Sequence, residues 1–131
     1  MNKEKELELA KRHPVLLNKK KIDGREPFAS FGCECGDGWF SLLDNLMTEI
    51  DNEALSVFVN VAQIKEKFGT LRFYVNFDKC EDVDYEKVYK IIQNYEEVSE
   101  TTCEVCGKPG TLRGGGWLRT LCDDCETKKE I

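Results

Sequence analysis

Histidine is nearly missing from this chain: one in 131 residues. No serine stands in a nucleophile motif, and the many carboxylates form no recognisable acid–base pair. The constellations needed for nucleophilic or metal-assisted hydrolysis are therefore absent as far as spacing can show, and a non-enzymatic protein is expected. There is no apolar run near the ~20 residues that a membrane helix needs. The N-terminus, M-N-K-E-K-E-L-E-L-A-K-R-H, lacks the apolar core of a secretory signal, which argues for the cytoplasm. No internal repeat or low-complexity tract is visible.

Cysteine, by contrast, is plentiful: seven residues. Four stand near the C-terminus, Cys103 and Cys106 in C-E-V-C-G-K-P-G, then Cys122 and Cys125 in L-C-D-D-C-E. Two C-x-x-C pairs separated by fifteen residues fit a four-thiolate zinc site. A two-residue gap lets one tight turn aim both sulfurs at one point, and two such turns supply the corners of a tetrahedron. Gly107 stands where the backbone folds back under the metal, and Pro109-Gly110 turns the chain away. A catalytic zinc keeps one position open for water, whereas four cysteines close the shell. One structural zinc is expected, with Asp123 and Asp124 as solvated turn residues.

Cys33, Cys35 and Cys80 remain. With His13 they leave a second metal site open, against the plainer reading of small buried hydrophobes or spare thiols. An odd number of cysteines with zinc spacing also fits a reducing compartment.

The charge is uneven. Residues 1–30 carry eight basic and five acidic side chains, residues 31–99 six and fourteen, and residues 100–131 five and six, which sums to the net −6. A central region at −8 repels phosphate and attracts basic surfaces. Direct nucleic-acid binding is therefore not expected, although ribbons of this kind often bind nucleic acid.

Patterning gives the elements. Residues 3–12 read as a helix ended by Pro14, with Val15, Leu16 and Leu17 as an apolar anchor and a solvated K-K-K at 19–21. Asp23 to Gly38, rich in turn formers, reads as a loop crossing the surface. Trp39, Leu42, Leu43, Leu46, Met47 and Ile50 recur at three and four, a helix over 39–51, with Asp37 placed to cap it. A hairpin over 56–77 follows. In it Val57, Val59 and Val61 alternate with Phe58 and Asn60, then Leu71, Phe73, Val75 and Phe77 with Arg72, Tyr74 and Asn76, and K-E-K-F-G-T makes a loop longer than two residues. A polar turn at 78–82 leads to a helix over 84–99 with Asp84 as cap and Val88, Ile91, Ile92, Tyr95 and Val98 as its buried stripe. The fold class is α+β: a hairpin or small antiparallel sheet packed by two to three helices, with a C-terminal four-cysteine zinc ribbon. Residues 1–100 form the α+β domain with a basic N-terminal helix, and residues 101–131 the ribbon packed on it.

Three segments, G-D-G-W-F-S-L-L at 36–43, Q-I-K-E-K-F-G-T-L-R-F-Y-V at 63–75, and the cysteine block with G-W-L-R-T-L at 103–125, together resemble small zinc-ribbon proteins of bacteriophages and prophages. The resemblance covers about residues 30–125. It implies a phage protein working in the bacterial cytoplasm and, by analogy with acidic phage proteins of this size, an anti-CRISPR that binds and inhibits a basic host defence protein such as Cas9. Asp44, Glu49, Glu86, Glu96 and Glu97 are the expected contact positions. Two other readings stand beside it. One is a nucleic-acid-binding ribbon using Arg113, Arg119, Lys128 and Lys129; the other is a structural or assembly factor of the phage.

Overall fold

A computed structural model describes residues 1–13, 16, 32–52, 59–77 and 84–129. The expectations for Pro14, Val15, Leu17, residues 19–31, Val57, Phe58, the turn at 78–82 and Cys80 fall outside these residues.

Helix α1 spans Lys3–Arg12, opened by the Asn2 side chain accepting from the Lys5 amide. A short strand β1, Cys33–Glu34, and a single 3₁₀ turn at Asp37–Trp39 lead into α2, Phe40–Asn52. Strands β2, Val59–Lys67, and β3, Thr70–Phe77, form the hairpin. Helix α3 covers Tyr85–Ser99, and the Asp84 carboxylate caps it by accepting from the Lys87 amide. The C-terminal part holds β4, Thr111–Arg113, β5, Arg119–Leu121, and α4, Asp123–Lys129. The fold is α+β, as the patterning indicates.

The sheet order is β1-β2-β3. β2 and β3 pair antiparallel with a bulge between Val61 and Gln63. β1 pairs with β2 in parallel, Cys33 opposite Ile64. The hairpin is antiparallel as expected, and β1 makes the whole sheet mixed; one expectation is corrected, since residues 33–34 are a strand, with Cys33 buried and Glu34 exposed, rather than part of a surface loop. A two-residue strand leaves no alternation to read.

The core is built from the apolar faces of α2 and α3 against this sheet. Trp39, Leu43, Leu46, Phe73, Ile91 and Ile92 are buried in it, while Val75 and Tyr95 pack against it half-buried. Val98 is the exception, at 46% exposed; its neighbour Ser99 is buried instead. The reason lies at the outer edge of β3. The Leu71 amide donates to Ser99 Oγ at 2.9 Å, and the Phe73 amide donates to Glu96 Oε2 at 3.1 Å. Helix α3 thus covers the strand's unpaired N–H groups with polar side chains, which protects an edge that could otherwise template aggregation.

The α1 helix is fixed to α2 by a buried polar contact. His13 is 3% exposed, its Nε2 lying 2.7 Å from Asp44 Oδ1 and its Nδ1 2.9 Å from Asp51 Oδ2. Among the described residues no helix is long and apolar enough to cross a membrane.

Candidate metal centre

Two turns and a hairpin bring the four C-terminal cysteines together. In the first turn, the Gly107 amide donates to the Cys103 carbonyl at 2.9 Å and the Cys103 amide to the Lys108 carbonyl at 2.8 Å. Gly107 has φ +83°, a conformation that glycine adopts without strain. In the second, the Cys125 amide donates to Cys122 Sγ at 3.4 Å at the start of α4. β4 and β5 pair antiparallel, Thr111 opposite Leu121, and hold the turns in register.

The sulfurs of Cys103, Cys106, Cys122 and Cys125 all lie within 4.8 Å of one another, with Cys106 and Cys122 at 3.5 Å. Thiolates at the corners of a tetrahedral zinc site stand about 3.8 Å apart, given a Zn–S bond of about 2.3 Å. A disulfide would need about 2.05 Å, and all four thiols are free. The cluster could therefore hold a metal ion, and the donor set fits one that prefers soft sulfur ligands. Burial pushes the Cys103 thiol up, but hydrogen bonds from the backbone of Cys122, Cys106 and Val105 outweigh it and bring the group to about 6. Burial and the neighbouring thiols push Cys125 up to about 12. Four thiols this close cannot all ionise without a cation between them.

The centre is joined to the core by a segment that reads from sequence as a helix entry. The Gly38 amide donates to the Glu104 carbonyl at 2.7 Å, the Gly36 amide to Glu104 Oε2 at 2.8 Å, and the Trp39 indole N–H to the Thr102 carbonyl at 3.0 Å. A Cβ on Gly38 would lie 2.3 Å from the Cys103 carbonyl oxygen, so only glycine lets the knuckle approach. Asp37 does not cap α2; its carboxylate accepts from the Asn2 amide at 2.7 Å and the Asn2 side chain at 3.2 Å. The hairpin tip closes the other side, where Thr120 Oγ1 donates to the Gly69 carbonyl at 2.7 Å. Residues 36–39 and the hairpin tip thus both pack against the segment that carries the four cysteines.

The two other described cysteines, Cys33 and Cys35, are not part of this cluster. Cys33 and Cys35 are buried, and burial pushes the Cys33 thiol up to about 12. His13 faces Asp44 and Asp51 rather than a thiol.

Of the five acidic positions expected to make contacts, Glu49, Glu86 and Glu97 are exposed and Asp44 and Glu96 half-buried. Burial raises the Asp44 carboxyl, but hydrogen bonds from His13 and the charge of Arg12 outweigh it and hold the group below its ordinary value. Glu49 shares a hydrogen bond with Tyr95, and Glu96 accepts from the Phe73 amide. Glu86 and Glu97 are exposed on α3. Lys87 and Lys90 sit beside Glu49 in a shallow hollow between α2 and α3, so this surface is mixed in sign. Of the ribbon's cations, Arg113 is tied to Asp123 at 2.7 Å and Arg119 lies 3.8 Å from Glu104. Sequence reasoning missed the bonding of Asp44 and Glu96, for which no spacing signal exists.

No protein-family model matches the chain, and no curated protein or solved structure shows significant similarity to it.

Proposed function

We propose that the resident metal is one structural zinc, and that the chain works by contact rather than turnover, binding and inhibiting a basic nucleic-acid-binding protein of a bacterial host. A CRISPR effector nuclease such as Cas9 is the leading candidate target, by analogy through the phage-protein resemblance. The observation that carries the contact reading is the closed cluster of Cys103, Cys106, Cys122 and Cys125. All four corners are thiolates, and a metal there has no open position for substrate. Its neighbours are the main chain of residues 36–39 and the hairpin tip, so its role is to fix the geometry of a surface. The basic partner is argued from the −8 balance of residues 31–99, which steers association with positive surfaces.

The test is affinity capture from the bacterial host, followed by a cleavage assay in which the protein is titrated against the captured nuclease. Inhibition should saturate near one chain per target and weaken as salt rises. Recovery of DNA or RNA with no protein partner would overturn the proposal.

The nucleic-acid-binding ribbon is the second reading, favoured by Trp117, an exposed aromatic of the kind on which bases stack. Against it stand the carboxylates beside Arg113 and Arg119. A role in phage assembly has no specific observation behind it.

A further inference from the structure

The hairpin tip carries a residue that its own backbone disfavours. Phe68 has φ 55° and Gly69 φ 84°, the two left-handed positions of a type I′ turn, where Asn-Gly is the preferred pair. A bulky side chain in that conformation is an outlier, and strained positions of this kind cluster at binding sites. The ring gains no burial in return, being 64% exposed. Trp117, in the crossing between β4 and β5, is 69% exposed. These are the two most exposed large apolar side chains among the described residues, and both line one groove of about 240 Å³ with Gly116, Leu118 and Glu66.

The groove is built on a fixed frame. Besides the bond from Thr120 to Gly69, the Gly69 amide donates to Glu66 Oε2 at 2.9 Å. A Cβ at Gly69 would sit 2.5 Å from Leu112 Cδ1, so β4 packs directly on the tip. An adjoining hollow shares Glu66 and Trp117 and adds Glu104 and Arg119. The Glu104 side chain is 8% exposed; its Oε1 has no hydrogen-bond partner. Glu66 and Glu104 stand against Arg119 in this hollow, and Glu66 is the one charged residue that lines the groove itself. Aromatic faces beside carboxylates suit a cation, and the Lys67 ammonium already lies 5.6 Å from the Phe68 ring centroid. A nucleic-acid strand stacking on Trp117 would bring its phosphates against Glu66 and Glu104.

We propose that the groove between Phe68 and Trp117 is a docking site for a basic side chain, arginine or lysine, of a partner protein. This rests on the basic-partner reading above and moves its central contact from the helices to the junction of hairpin and ribbon. Trp117 and Phe68 are the anchors, and Glu66 supplies the counter-charge.

The test uses the full metal-loaded chain and three labelled probes followed by fluorescence anisotropy: a short arginine- and leucine-bearing peptide, its glutamate-for-arginine counterpart, and an oligothymidylate. The arginine peptide should bind, and Phe68→Asn and Trp117→Ala should each weaken it about tenfold or more, although neither changes the charge. Phe68→Asn should fold at least as well as the parent, since asparagine suits the turn. Equal or tighter binding of the glutamate peptide, or oligothymidylate binding that Trp117→Ala abolishes, would overturn the proposal. So would self-association of the chain that Trp117→Ala removes. If Glu86→Lys with Glu97→Lys weakens the arginine peptide while Phe68→Asn and Trp117→Ala do not, the groove is wrong and the basic-partner reading stands. No binding of the arginine peptide contradicts both.

Discussion

The indole N–H of Trp39 donates to the main-chain carbonyl of Thr102 across 3.0 Å, linking the most deeply packed aromatic of the core to the strand-like segment that enters the metal cluster. Trp39 is wholly buried, so both its ring and its one polar atom serve the junction. Trp39→Ala should cost about 3–5 kcal/mol in chemical denaturation. Trp39→Phe keeps an aromatic ring but leaves the Thr102 carbonyl without its donor, a loss of about 1–3 kcal/mol. In both variants, amide exchange in residues 101–110 should accelerate ahead of exchange in α2; protection that falls equally everywhere would show the junction to be no weaker than the core.

Gly38→Ala is the sharper probe of the same junction. The added methyl would meet the main chain of Cys103 and Glu104 within 2.6 Å, and backbone cannot swing aside as a side chain can. Overpacking should cost about 1–3 kcal/mol, against a gain of several tenths for alanine at an unconstrained position. A melting temperature equal to the parent's would mean that the knuckle does not dock on residues 36–39.

Ser99→Ala removes a single hydroxyl yet leaves the buried Leu71 amide without its acceptor. The expected loss is about 1–3 kcal/mol, whereas Val98→Ala, on the exposed side of the same helix, should stay within about 0.5 kcal/mol. Urea titration of the two variants checks the difference.

The His13–Asp44 contact makes a pH prediction. The folded-state pKa of Asp44 is lowered from its ordinary 3.8. A depressed carboxylate contributes stability that is present above its unfolded pKa and lost as pH falls through the folded one. The destabilisation caused by Asp44→Asn should therefore be largest near neutral pH and shrink as pH drops below about 3.8. A difference that is constant across that range would separate Asp44 from the acid response.

How much of this was legible in the sequence follows from which interactions are local. The period-three-and-four stripe of Leu42, Leu43, Leu46, Met47 and Ile50 places α2 within one residue, and Asp84 caps α3, because these signals act over a single turn. The C-x-x-C pairs announced their cluster because ligand geometry constrains spacing. The parallel pairing of Cys33 with Ile64 was invisible, since a two-residue strand has no periodicity. The sequence points to a tip longer than the two-residue turn that joins Lys67 and Thr70, because Phe68 is a poor residue for a type I′ turn. Ser99 displaced Val98 from the buried face because satisfying a strand edge outweighed burying one valine. G-D-G-W read as a helix entry; its glycines answer to Cys103 and Glu104, more than sixty positions away in the chain.

The metal content of the purified chain tests the account most directly, because the proposed zinc would tie together the two cysteine turns whose neighbours include Trp39 and the hairpin tip. Elemental analysis of the full chain should give one zinc per molecule, and Cys106→Ser should lose it together with order in residues 101–127. Serine at Cys33 or Cys35 should leave the ratio unchanged. A chain free of metal, with Cys103, Cys106, Cys122 and Cys125 in disulfides, would contradict the account.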